Sequence, residues 1–407
     1  MVKYFCDWRT MRYGLFTMTS SKQTGTRRPA NRKRQLIDLS AQLFLRRGYP
    51  QVSMADIARA AGVTAPSLYR HFDDKQTLLY QAVLAGVGDL QICTEAAVTS
   101  ADGDPHEFLT ALCGAVARRR DVASLWRWTG TYLTGEQNRE VALRTREVLR
   151  QWAALLFANR RLADWEQRQL VWSLLSVAGS LSSHRTKLSA PQAVRELIVA
   201  ADRLVALTPS DAKPLRVPPH VALPDDDRRT EILDAAAQLF AARGFGPVGV
   251  DEIGAAVGIT GPSLYRHFPS KAAILIAIGH RSAARLEAGV VAAYAAGGES
   301  ANILGLLVDS YVTTLTSSPD LSVSFNNGPA LADNPAAREL VDIQRRYVAR
   351  WINLFTSAHS DVDDAAAGIA VHAALSIVND AVRLQRGIER SEFPSQMAYL
   401  MKGVLGV

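Results

Sequence analysis

Between Ser53 and Lys75 the chain gathers three hydroxyls (Ser53, Thr64, Ser67), a phenol (Tyr69), an imidazole (His71) and, toward its end, the cations Arg70 and Lys75. These groups donate hydrogen bonds or carry positive charge. They suit contact with phosphates and base edges better than bond-breaking chemistry. The set recurs 196 positions later as Thr260, Ser263, Tyr265, Arg266, His267 and Lys271. From Asp38/Asp234 to Leu79/Leu275 the two windows align without a gap, and roughly half of their positions are identical. A repeat this long is a duplicated domain.

The elements that position these groups are legible in the spacing. Leu36, Ile37, Ser40, Leu43 and Phe44 recur with helical period, and Gly48 ends that helix. Ser53-Met54-Ala55-Asp56 is a helix-start signal in which the hydroxyl caps free amides and the acid complements the helix N-terminus. Gly62 breaks the short helix that follows. Thr64 caps the next, with Pro66 in its first turn, where a missing N–H is harmless. Asp73 or Asp74 caps a fourth helix, which starts at Lys75 and runs past Leu90. The second copy reads the same way from Ile232 to Lys271, except that Gly249 replaces Ser53. Each copy is therefore a helix-turn-helix head.

In such a head the second helix lies in the major groove with its N-terminal residues at base edges. Here that helix begins at Thr64. Thr64 and Ser67 would reach phosphates or bases, and Pro66 a thymine methyl. Tyr69 would lie across the sugar-phosphate backbone, and Lys75 would meet a phosphate at a helix start. In the second head Thr260, Pro262, Ser263, Tyr265 and Lys271 take these places, with Arg266 and His267 alongside. Other readings stand beside these. His71 serves equally as a packing histidine, Arg70 and Arg266 as solvated charges, and Leu68 and Phe72 as core.

The pattern Ser53…Ile57-Ala58…Ala61-Gly62-Val63-Thr64-x-Pro66-x-Leu68-Tyr69-x-His71-Phe72-x-x-Lys75, with Leu79 behind it, resembles the TetR family of bacterial regulators. The resemblance covers residues 31–80 and 228–276. It implies DNA-contacting roles for Tyr69, His71 and Lys75 and for Tyr265, His267 and Lys271. Family members often carry a long polar side chain directly after the capping threonine, where this chain has Ala65 and Gly261. Direct base readout is therefore expected to be sparse, with DNA shape contributing. A chain with two complete units further resembles tandem repressors of mycobacterial mammalian-cell-entry (lipid-import) operons. That likeness implies a repressor released by a small hydrophobic effector, lipid- or sterol-derived. An effector-independent DNA binder, or an activator with vestigial ligand domains, is the alternative.

Composition bounds the rest. The 407 residues carry a net charge of +7. Residues 1–34 hold nine basic groups against the single acid Asp7, so the remaining chain nets one negative charge. Arg27, Arg28 and Arg32 in this basic arm are candidates for phosphate or minor-groove contact; a solvated tail is the other reading. The second head is preceded instead by Asp225-Asp226-Asp227. Unequal flanks and similar recognition helices predict an imperfectly palindromic double-stranded operator, held by both heads. Residues 1–25 read as a disordered extension, with Met11 or Met18 as the expected natural start. No unbroken apolar run reaches membrane-spanning length, and Cys6, Cys93 and Cys113 make neither a metal spacing nor a disulfide framework. A cytoplasmic protein without membrane partner, metal or cofactor is expected. The sequence holds no Gly-x-Ser-x-Gly elbow, no phosphate-cradling glycine loop ending in Lys-Ser/Thr and no His-Glu-x-x-His, so no enzyme is expected.

The fold class expected is all-α: two tandem TetR-like units, each a three-helix head followed by a helical ligand-binding and dimerisation domain. The domains run 26–80 and 81–207, then 228–276 and 277–407. A proline-rich linker at 208–227 separates the halves and is long enough to reach about 60 Å. In the first half Trp126, Trp128, Tyr132, Trp152, Phe157 and Trp172 either line an apolar pocket or form ordinary core; His184 is a possible polar anchor. TetR proteins pair through a four-helix bundle that sets two heads about 34–36 Å apart. The resemblance therefore implies a monomeric pseudo-dimer, with residues near Trp165–His184 packed on residues near Asp363–Gln385.

Overall fold

The computed structural model describes residues 29–118, 132–182, 184, 186–216, 227–327, 331 and 334–407. The chain divides into two compact units, one ending at Ala158 and the other running from Asn159 to Val407. Among the described residues all regular structure is helical.

The first unit holds α1 (Pro29–Arg47), α2 (Met54–Ala60), α3 (Ala65–Tyr69), α4 (Lys75–Ala101), α5 (Pro105–Arg118) and α6 (Gly135–Leu156). Side-chain caps fix the helix starts within the head. Ser53 and Asp56 form a reciprocal capping box, Thr64 accepts from the Ser67 N–H at 3.4 Å, and Asp74 accepts from the Thr77 N–H at 2.6 Å. Gly62 supplies the left-handed turn between α2 and α3 with φ of 63°. Leu36, Phe44, Ile57, Leu68, Phe72 and Leu79 close the head's core. Farther along α4, Trp152 is buried edge-on to Phe108, and its indole N–H donates to Thr94 Oγ1 at 2.8 Å.

The second unit begins with α7 (Asp164–Gly179) and α8 (Ala190–Val205), which close the first half of the sequence. The second head follows as α9 (Arg228–Arg243), α10 (Val250–Ala256) and α11 (Gly261–Leu264). Behind it come α12 (Lys271–Ala295), α13 (Ser300–Ser317), α14 (Asp320–Asn327), α15 (Ala337–Ala358), α16 (Asp364–Arg383) and α17 (Phe393–Leu405). Helix α16 is buried almost all round: α7 and α8 pack on one side, α15 and α17 on others. By composition alone α16 and α4 could cross a bilayer. In α16 the apolar surface is instead covered by protein, and burial of each Ile, Val or Leu there contributes about 1.5–3 kcal/mol.

Contacts between α7–α8 and the last two helices are specific. His184 and His372 stack with ring centroids 4.0 Å apart. The Arg386 guanidinium lies over Trp172 and that of Arg390 over Trp165. Leu207 presses on Gly403, where any Cβ would meet its side chain. Arg203 donates to the Val404 carbonyl at 3.3 Å.

The linker departs from the sequence expectation. Ser210 donates to Glu166 through both its N–H and its hydroxyl, and the Arg216 N–H donates to Asp309. Glu166 and Asp309 are buried, and Asp309 also holds Lys402 at 2.6 Å. The first part of the linker is thus pinned rather than free. Residues 217–226 of the expected linker lie outside the described residues. The basic arm departs too: α1 begins at Pro29, so Arg32, Lys33 and Arg34 belong to the helix.

Candidate nucleic-acid interface

In each head one aromatic stands out from a buried scaffold. Leu68 and Phe72 are almost fully buried, yet Tyr69 between them is 51% exposed. Leu264 and Phe268 repeat that burial around Tyr265, which is 53% exposed. The two tyrosines thus occupy matching exposed positions of the duplicated heads, each between two buried core residues. Thr64, Pro66, Arg70 and His71 are exposed on the same short segment, as are Thr260, Pro262 and Arg266; Ser67, Ser263 and His267 are half-buried. Each head thus exposes a hydroxyl, an aromatic ring and a guanidinium on this short segment.

Several expected contact residues do other work. The Lys271 ammonium donates to the carbonyls of Phe245, Gly246 and Val248 at 2.8–3.1 Å and sits 4.5 Å from the Phe245 ring centroid. Its three protons are all engaged inside the head. Lys75 does the same more sparingly, donating to the Tyr49 carbonyl at 3.0 Å and lying over the Tyr49 ring. Burial pushes both ammonium groups below the usual lysine range. These lysines brace the loop after the first helix instead of reaching outward. Arg32 donates to the Ala61 carbonyl at 3.2 Å, and its repeat partner Arg228 to Val257 at 3.1 Å. Arg32 therefore caps the end of α2, where the free carbonyls of a helix welcome a cation. The Ser53 hydroxyl gives its proton to Asp56 within the capping box. Arg27 and Arg28 lie outside the described residues.

The aromatic candidates for ligand binding disperse. Trp126 and Trp128 lie outside the described residues. Tyr132 packs on Tyr49 with ring centroids 4.6 Å apart, half-buried against the first head's core. Trp152 is core. Trp172 and His184 belong to the contacts with α16 and the segment after it. None of these four joins a common pocket, because helical spacing brings aromatics to a core as readily as to a cavity.

A cavity does occur in the second half. Ser282, Leu286, Tyr311, Phe325 and Tyr347 line it, with Glu287 on its wall, and its free volume is about 30 Å³. Its interior is narrow, with free space of about one water, so an occupant must part the side chains. Tyr311 donates to Asn379 at 2.8 Å. Burial pushes the Tyr311 and Tyr347 phenols above their usual range, which keeps both as neutral donors. Glu287 pairs with Arg350. The sequence reading missed this set, although Tyr347 and Trp351 one turn apart gave a signal equal to that in the first half.

Helix α14 lies between cavity and head. Phe325 faces the cavity, while Val323 belongs to the core of the second head. Asp320, buried, accepts from Arg281 through two bonds of 2.7 and 2.8 Å and from Arg285 at 2.9 Å. Arg281 also pairs with Asp234 on α9 at 2.7 Å. At the other end of α14, Asn327 accepts from the Phe245 N–H.

Comparison with known proteins agrees with this geometry. The family model described as bacterial regulatory proteins, tetR family, matches residues 36–82 and again 232–278. The chain is 41% identical over 68 residues to the HTH-type transcriptional activator FasR of Mycolicibacterium smegmatis, a match covering 17% of this chain and 31% of that protein. It is 31% identical over 118 residues to the HTH-type transcriptional repressor KstR2 of Rhodococcus jostii, covering 26% and 56% respectively. The chain thus spans about half the length, or less, of the curated relatives it matches. Among solved structures, the ketosteroid transcriptional regulator KstR2 of Mycobacterium tuberculosis aligns at 21% identity with a TM-score of 0.41, over 46% of this chain and 97% of that one. The family's domain is thus matched twice, at the very residues that build the two heads, so the chain carries two domains of the kind found in the tetR family of bacterial regulatory proteins.

Proposed function

We propose that the chain is a transcriptional repressor whose two heads grip one imperfectly palindromic operator, and that a small hydrophobic effector entering the second half releases it. The observation that carries this reading is the pair of exposed tyrosines, Tyr69 and Tyr265, on duplicated rigid scaffolds. The repressor sign is supported by the name of the Rhodococcus relative. The packing of α7 and α8 on α16 and α17 supports an intramolecular pseudo-dimer. Covalent linkage gives such pairing an effective concentration in the millimolar range.

Release needs a coupling between cavity and head, and α14 offers one. An occupant that parts Phe325 from Leu286 moves a helix whose ends are tied to α9 and to the loop at Phe245. A 100-fold fall in operator affinity requires the effector to favour the released geometry by about 2.7 kcal/mol. The apolar lining, with two neutral phenols, favours a lipid- or sterol-derived molecule carrying one or two hydroxyl or keto oxygens.

The test is footprinting on the DNA upstream of the chain's own gene, with Tyr69→Ala and Tyr265→Ala prepared separately. Each variant should lose protection of one half-site and weaken binding at least tenfold. Full affinity in the Tyr265→Ala variant would mean that the second head is only a scaffold.

A further inference from the structure

At three positions where the first head has alanine, the second head has different residues that fit one another. Ala55, Ala58 and Ala65 correspond to Asp251, Gly254 and Gly261. A Cβ on Gly261 would lie 1.9 Å from Asp251 Oδ1 and 3.2 Å from its Cγ. A Cβ on Gly254 would lie 2.8 Å from the Ile259 carbonyl oxygen. The two glycines therefore draw the recognition helix against α10 and leave room for the Asp251 carboxylate across its first residue. Burial agrees: Gly261 is covered, whereas Ala65 in the first head is half-exposed.

The ordinary reason for an acid in a first helical turn is capping. Glu252 already does that work. It accepts the Gly249 N–H at 2.7 Å and pairs with Arg243 at 2.7 Å. Asp251 is exposed, beside the exposed Thr260 that opens the recognition helix. A carboxylate facing the polyanionic duplex weakens binding at every sequence, unless it accepts a hydrogen bond from a base. In the major groove cytosine N4 is a donor that carboxylates accept from; guanine and thymine offer acceptors that repel them, and adenine sets an N7 acceptor beside its N6 donor.

We infer that Asp251 is a specificity-determining residue of the second head, its carboxylate accepting the N4 amino proton of a cytosine in the half-site that head reads. The inference rests on the DNA-binding function proposed above. Ala55 gives the first head no such readout, so the two half-sites differ at this position. Asp251 thereby fills, from the neighbouring helix, the polar place left empty by Gly261.

The test uses the full chain and a duplex library randomised across both half-sites, with bound duplexes sequenced. The wild type should enrich a cytosine at one position of one half-site. Asp251→Ala should lower that discrimination about 5- to 100-fold and leave the other half-site unchanged. Gly261→Ala keeps the carboxylate but displaces it, and should lose the same preference. Asp251→Asn, which can bond adenine through its amide, should shift the preference toward adenine. Circular dichroism of each variant confirms that the head is folded. The inference is overturned if wild type and Asp251→Ala select the same bases, or if Asp251→Ala tightens binding to all duplexes by one factor. If the wild type binds duplex but enriches no sequence, this inference fails alone; if it retains no duplex at all, the DNA-binding function fails and this inference with it.

Discussion

Replacing Asp320 by alanine probes the junction of cavity and head. Its carboxylate is 1% exposed and accepts three charge-assisted hydrogen bonds, two from Arg281 and one from Arg285. Removing one partner of a buried ion pair costs about 3–5 kcal/mol, because the other charge is left without compensation. Two features pull the figure to the low end. Arg281 keeps Asp234, and the Arg285 side chain is a third exposed. We expect a loss of about 3 kcal/mol. For a unit of about 250 residues that lowers the melting temperature by about 6–12 °C. Asp234→Asn breaks the outer arm of the same network, where the carboxylate is 63% exposed, and should cost under about 1 kcal/mol. Thermal melts by circular dichroism compare the two. Equal losses, both under about 1 kcal/mol, would refute the view that α14 is locked to α12 through a desolvated carboxylate.

Three further outcomes are expected. Lys271→Met leaves three loop carbonyls without their donor and should cost about 1–3 kcal/mol in a denaturant melt, whereas Lys75→Met loses a single bond and should cost less. Trp152→Phe keeps a ring beside Phe108 but strands the buried Thr94 hydroxyl, a loss of about 1–3 kcal/mol that Thr94→Val in the same chain should largely remove. Burial, and secondly the neighbouring His184, hold His372 well below the usual histidine range. As pH falls through about 6.5 the unfolded chain takes up a proton that the folded chain refuses, so stability is full above that pH and declines below it by up to about 1.4 kcal/mol per unit. Melts at pH 7.5 and 5.5 should show the decline, and His372→Asn should flatten it.

The heads were legible in sequence because their positions answer to local rules. Ser53, Thr64 and Asp74 announce helix starts, Gly62 and Gly258 demand left-handed turns, and Leu68 and Phe72 face inward by period. What the polar side chains do was less legible. Lysine types at 75 and 271 suggest phosphate, yet carbonyls in the loop after each head's first helix capture the ammonium groups first. No local pattern reports such a tertiary acceptor. Ligand candidates failed for a related reason. Trp152 and Trp172 follow the same helical spacing as Tyr347 and Trp351, and only packing decides which group borders a void. The second head's glycines carried a signal in plain view: Gly254 and Gly261 differ from the first head together with Asp251, and their joint meaning needs the distances.

The most direct test is the mass and footprint of the complex with one duplex carrying both half-sites, measured by light scattering and nuclease protection at micromolar concentration. One chain of 44.3 kDa per duplex, protecting two half-sites about one helical turn apart, is the expected result. Two chains per duplex, or a single protected half-site, would contradict it.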